Sequence, residues 1–145
     1  MVAAQHQQAR YAEWLAAQGL RFNFAAETAA LSSRVAKGVT NSIPPVEGWH
    51  RILPTLALVE AVREQFGAVT LHSAYRSSPY NRAVGGVGDS RHSHNDAIDF
   101  SCATGTPTDW AAFLRERREA SPGGIGVYGT FTHVDTRGTN ADWTG

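Results

Sequence analysis

The chain has 145 residues, 13 basic and 13 acidic side chains, 42% apolar and 18% charged content. A chain of this length buries roughly 70% of its unfolded surface as one domain. Zero net charge offers no field for nucleic acid or an anionic membrane, and the apolar runs fall far short of the ~20 residues that span a bilayer. The single cysteine, Cys102, excludes an intrachain disulfide and any multi-cysteine zinc or iron–sulfur site, so a metal would be held by nitrogen and oxygen. Residues 1–19 do not read as a secretory signal, because Gln5, His6, Gln7, Gln8, Arg10 and Glu13 interrupt the apolar stretch.

Residues 3–18 carry Tyr11, Trp14, Leu15 and Gln18 at helical spacing, with Gly19 as a stop. Residues 22–35 read two ways: Phe22 and Phe24 alternate, then an alanine-rich run suits a short helix. Gly38 to Trp49, with Pro44-Pro45, is expected to be a non-helical connection. Ile52 to Phe66 predicts a helix with Ile52, Leu56, Val59 and Phe66 along one stripe, Pro54 in its first turn and Gly67 ending it. Val69 to Tyr75 alternates as a strand, and Arg76 to Asp89 is expected to be a long loop rich in Ser, Pro, Asn and Gly. Ala97 to Ser101 is a second strand. Thr106-Pro107-Thr108-Asp109 opens a helix to about Ala120 through a cap hydroxyl, a proline and a carboxylate three residues on. Ile125–Tyr128 and Phe131–Thr136 read as two strands joined at Gly129-Thr130, and residues 137–145 show no periodicity. Together these predict one α+β domain over 1–145: a small, mainly antiparallel sheet with flanking helices, a helical extension over about 1–35 and the motif-bearing core over about 40–137.

The chemistry is concentrated in residues 89–100, where Asp89, His92, His94, Asp96 and Asp99 fall within a dozen positions. If Ile98 and Phe100 face the core, Asp99 faces the other way. In the last strand Val134 takes the core side, which puts His133 and Asp135 on that same opposite face. Asp99, His133 and Asp135 are therefore expected to converge, with His92 arriving from the loop. Two histidines and a carboxylate leave a fourth coordination position open, as catalytic zinc requires. His94 and Asp96 are expected to stay outside the site.

These motifs resemble a family. Ser90-x-His92-x6-Asp99 followed by His133-Val134-Asp135 is similar to the zinc-binding signature of M15-type peptidases, the D-Ala-D-Ala carboxypeptidases and murein endopeptidases that share the hedgehog/DD-peptidase fold. Ser73-Ala74-Tyr75-Arg76-Ser77 and Tyr80 to Gly86 resemble the family's stretch just before the first ligand, and Pro44-Pro45 with the helix after it and Gly124 to Tyr128 match the compact phage and bacterial branch. The resemblance implies one Zn2+ per chain on His92, Asp99 and His133, Arg76 holding a carboxylate or carbonyl oxygen of the substrate, and Ser90 close to the metal, bonding substrate or a ligand. The better-known members place an acidic base three residues before the last histidine. Here that position is Thr130, so Asp135 is expected either to take the proton of the attacking water or to orient a ligand imidazole.

The expected activity is zinc-dependent hydrolysis of peptide bonds in peptidoglycan stem peptides by a metal-activated water, as an endolysin-like endopeptidase or a D,D-carboxypeptidase. The expected partner is the wall peptide, with no nucleic acid and no membrane insertion. Such a protein would be made in the cytoplasm and reach the wall after lysis, by a holin-type route or in a phage particle. The rival is a non-catalytic zinc module on the same fold that binds wall or serves as a virion component, which the threonine at position 130 keeps open.

Overall fold

The computed structural model describes residues 2–21 and 24–145. Five α-helices, α1 (Val2–Ala17), α2 (Phe24–Ala30), α3 (Leu53–Phe66), α4 (Ser78–Ala83) and α5 (Pro107–Arg115), flank a five-stranded sheet among these residues. Its strands are β3 (Val69–Ser73), β4 (Ala97–Cys102), β5 (Gly124–Val127), β6 (Thr132–Asp135) and β7 (Ala141–Thr144), ordered β3-β4-β6-β5-β7. All neighbours are antiparallel except β5 and β7. A separate hairpin joins β1 (Val35–Ala36) and β2 (Val39–Thr40) through Lys37 and Gly38, both at positive φ. The class is α+β, as the element pattern predicts. None of the described helices is long and apolar enough to cross a membrane.

One face of the sheet is covered by α3 and α5. Leu56, Val59 and Val62 from α3 and Trp110 and Leu114 from α5 are buried with Leu71, Ile98, Phe100, Ile125 and Val134 of the strands. Burying side chains of this size stabilises by about 1.5–3 kcal/mol each, so this layer fixes which way every strand faces. The start of α5 is the expected capping box, with Thr106 Oγ1 accepting from Asp109 N–H and the Asp109 carboxylate accepting from Thr106 N–H. The N-terminal helix lies against the chain before α3: Tyr11 and Trp14 pack on Trp49 with ring centroids 5.1 and 5.6 Å away.

Several expected elements differ. The segment expected as a non-helical connection up to Trp49 ends in a 3-10 turn, Val46–Ile52, which starts directly after Pro45 and runs into α3. The strand expected to reach Tyr75 stops at Ser73, where the pairing with β4 shifts register. The long loop after it contains α4, because Ser77 caps the helix by accepting from Tyr80 N–H and Pro79 suits its first turn. Helix α5 ends at Arg115, short of the expected Ala120. The tail without periodicity forms β7, which pairs in parallel with β5 and becomes the edge strand of the sheet. Phe22, one half of the alternation read in residues 22–35, lies outside the described residues, and Phe24 begins α2.

Strand β7 carries Trp143, and the opposite positions of β5 are glycines for a steric reason. A Cβ on Gly126 would overlap the Trp143 indole, and one on Gly124 would overlap both that ring and Asp135. Gly126→Ala is therefore expected to lose about 1–3 kcal/mol in urea denaturation, the usual cost of overpacking. Adding Trp143→Ala should make the second loss smaller than the sum of the singles, a non-additivity that the double-mutant cycle reads directly.

Candidate metal centre

The pairing of β4 with β6 sets Asp99 opposite His133 and Ala97 opposite Asp135. Because Ile98, Phe100 and Val134 fill the core, the three polar side chains share the other face, as their phases predict. His92 reaches the same point from a 3-10 turn, Arg91–His94. Ser90 caps that turn by accepting from His92 N–H at 3.2 Å, and Asn95 ends it in the left-handed conformation (φ 59°). The Asn95 amide donates to Gly48 O at 2.9 Å, and Arg91 forms an ion pair with Asp96, so the turn is held from both ends.

His92, Asp99 and His133 are all buried, and each offers a donor atom within 4.8 Å of the others. His92 Nδ1 lies 2.7 Å from Ala74 O. A carbonyl only accepts, so Nδ1 carries the hydrogen and Nε2 is the free donor. That Nε2 stands 3.2 Å from Asp99 Oδ2. His133 is set in the opposite sense: Nε2 donates to Asp135 Oδ2 at 2.8 Å, and Nδ1 faces Asp99 Oδ1 at 2.9 Å. The two nitrogens approach different oxygens of Asp99, and one donor atom from each of the three residues lies within 4.8 Å of the others. Both imidazoles thus present a ligand nitrogen to one carboxylate while the other nitrogen is hydrogen-bonded to protein, the arrangement that fixes the tautomer of a metal-ligating histidine.

Electrostatics agree with the geometry. Burial would raise the Asp99 pKa, but hydrogen bonds from His133 and His92 hold it far below the usual carboxylate range. Burial would lower that of His133, yet the bonds to Asp135 and Asp99 raise it.

Asp135 is completely buried behind His133. Its Oδ1 accepts from Gly124 N–H, Arg137 N–H and Arg137 Nε, and its Oδ2 accepts from His133 Nε2 and Arg137 Nη2. No lone pair is left to face the cleft. Thr130, where an acidic base was expected by resemblance, lies exposed in the β5–β6 turn.

The centre opens into a cleft of about 540 Å³. Arg76 stands on its wall, with Nη2 3.6 Å from Asp99 Oδ2, Nε donating to Ser73 Oγ and Nη1 to Asn81 Oδ1. Gly86 packs so closely on Asn81 that any side chain there would displace it. Ser90 is buried on the same wall, its hydroxyl oxygen committed to the His92 N–H. His94 turns outward to Asp89. The opposite wall is aromatic: Tyr128 and Phe131 stack at 4.5 Å with a 6° tilt, and Trp143 donates from Nε1 to the Tyr128 hydroxyl at 2.8 Å. Trp143 also lies 5.0 Å from the His133 ring. Trp143 and Arg137 are missing from the set predicted by sequence. Asp142 and Thr144 alternating around Trp143 were the only signal for the first.

A family model described as peptidase M15 matches residues 22–135. The chain belongs to the peptidase M15 family. No curated protein matches it. The family is zinc-dependent, and His92, Asp99 and His133 are the group among the described residues that can hold such an ion. The M15 match ends at Asp135, so Arg137 and Trp143, which complete the surroundings of His133, lie beyond it.

Replacing Asp135 by Asn removes the charge that orients His133 while keeping its size. Zinc affinity of Asp135→Asn, measured by chelator competition, should fall about 10–100-fold, the range seen when an outer partner of a ligand histidine is lost.

Proposed function

We propose that the protein is a zinc peptidase that hydrolyses peptide bonds in the stem peptides of bacterial peptidoglycan. The observation that carries this reading is the convergence of His92 Nε2, Asp99 and His133 Nδ1 at the floor of an open cleft with Arg76 on its wall. Membership of the M15 family supports the reaction class. A bound zinc would supply Lewis acidity and activate water for attack on the scissile carbonyl.

The chain's own residues divide the remaining work. His92, Asp99 and His133 hold the ion. Arg76, kept in place by Ser73 and Asn81, offers its guanidinium to a carboxylate or carbonyl oxygen of the peptide; its planar fork suits either group. Ser90 holds the turn that presents His92. Asp135 orients His133, since a fully hydrogen-bonded carboxylate behind the ring has no oxygen for the attacking water. Of the two roles open to Asp135, the geometry supports orientation.

That same observation favours one rival. With Thr130 at the usual base position and Asp135 walled off, a zinc module that binds wall peptide without cleaving it fits the same ligand set. Digestion of purified peptidoglycan separates the two. The zinc-loaded protein should release soluble muropeptides identifiable by mass spectrometry, and His92→Ala should release no more than a metal-free control. Binding to the wall without any released fragment would establish the rival instead. Arg76→Ala should cut kcat/KM by about tenfold or more, the loss of one charge-assisted contact.

A further inference from the structure

The turn Arg91–His94, which presents His92, is weakly bonded within itself. Ser93 N–H donates to Ser90 O at 3.1 Å and Asn95 N–H to His92 O at 3.3 Å, both at the long end of the hydrogen-bond range. Its anchors therefore lie outside it. Asn95, which ends the turn, donates from Nδ2 to Gly48 O at 2.9 Å. The next residue, Trp49, packs against the Tyr11 ring at 5.1 Å and the Trp14 ring at 5.6 Å. Helix α1 thus reaches the metal turn through one short piece of chain, although it precedes the residues 22–135 that the M15 model matches.

Two polar atoms within this contact are left over. Tyr11 Oη and Asn95 Oδ1 are buried without a partner of hydrogen-bond geometry among the described residues, and their residues are only 1% and 2% exposed. Unpaired polar atoms at such depth are rare in folded proteins. The two side chains are neighbours: burial pushes the Tyr11 phenol up, and the Asn95 side chain beside it works against that rise. The hydroxyl has a hydrogen to give and the amide oxygen only accepts, so a direct bond or one bridging water satisfies both. Neither residue lines the cleft.

We infer that Tyr11 is a positioning residue of the metal centre: through Asn95 it holds the turn that presents His92, so that the N-terminal helix sets the affinity for zinc. The inference rests on His92 being a zinc ligand. It is independent of whether the loaded protein cleaves the wall or only binds it, because Tyr11 acts on the presentation of the ion and touches no substrate.

Chelator competition on the full chain tests it. Tyr11→Phe keeps the ring on Trp49 and removes only the hydroxyl; zinc affinity should fall about three- to tenfold, the scale of one neutral hydrogen bond. Trp14→Phe, which alters the same aromatic contact without reaching Asn95, should stay within about twofold of wild type. Glycine accepts the left-handed conformation of Asn95 (φ 59°), and in an Asn95→Gly background Tyr11→Phe should cost nothing further. In the zinc-free protein, Tyr11→Phe should speed amide exchange at Ser93 and Asn95 while the amides of α3 keep their wild-type rates. Wild-type affinity in Tyr11→Phe, an equal loss in Trp14→Phe, an undiminished loss in the Asn95→Gly background or uniformly faster exchange would each reduce Tyr11 to a packing residue and overturn the inference. His92→Ala separates this failure from that of the centre: if it binds zinc as wild type does, His92 is no ligand and both readings fall.

Discussion

The pairing of Asp99 with His133 across β4 and β6 is the constraint on which the site depends. It is a consequence of core packing: Ile98, Phe100 and Val134 are fully buried beneath α3 and α5, so the register that buries them must turn Asp99, His133 and Asp135 to the other face. A slip of one residue would exchange the two sets and place three ionisable groups in the apolar layer. The hydrophobic effect thus positions the polar centre, and hydrogen bonds refine it.

The refinement lies in the unused nitrogens. Ala74 O takes the hydrogen of His92 Nδ1, and Asp135 takes that of His133 Nε2. Each ring is left with one nitrogen directed at Asp99. Arg137 and the Gly124 N–H hold Asp135 in turn, and Trp143 of β7 covers the His133 ring. The edge strand therefore serves the centre as well as extending the sheet.

Much of this was legible from residues alone. Period-two alternation put Asp99, His133 and Asp135 on one face, and the spacing from Ser90 to Asp99 identified the loop that supplies His92. Three features were not. Helix α4 was hidden by the glycines that follow it, although Ser77 and Pro79 are a start signal. Strand β7 spans Ala141–Thr144, too short for its alternation to stand out, and its stability comes from pairing with β5, a partner that no local pattern reveals. The role of Asp135 depended on which side of the imidazole its carboxylate occupies and on Arg137 closing it off. Spacing along a strand carries neither fact.

The central claim is that two histidines of opposite tautomer and one aspartate form a single metal centre. Anomalous diffraction at the zinc edge from crystals of the zinc-loaded protein tests it most directly. The account predicts one zinc per chain, bonded to His92 through Nε2, to an Asp99 oxygen and to His133 through Nδ1. A zinc bound elsewhere, or one reached by His133 through Nε2 with its bond to Asp135 broken, would contradict it.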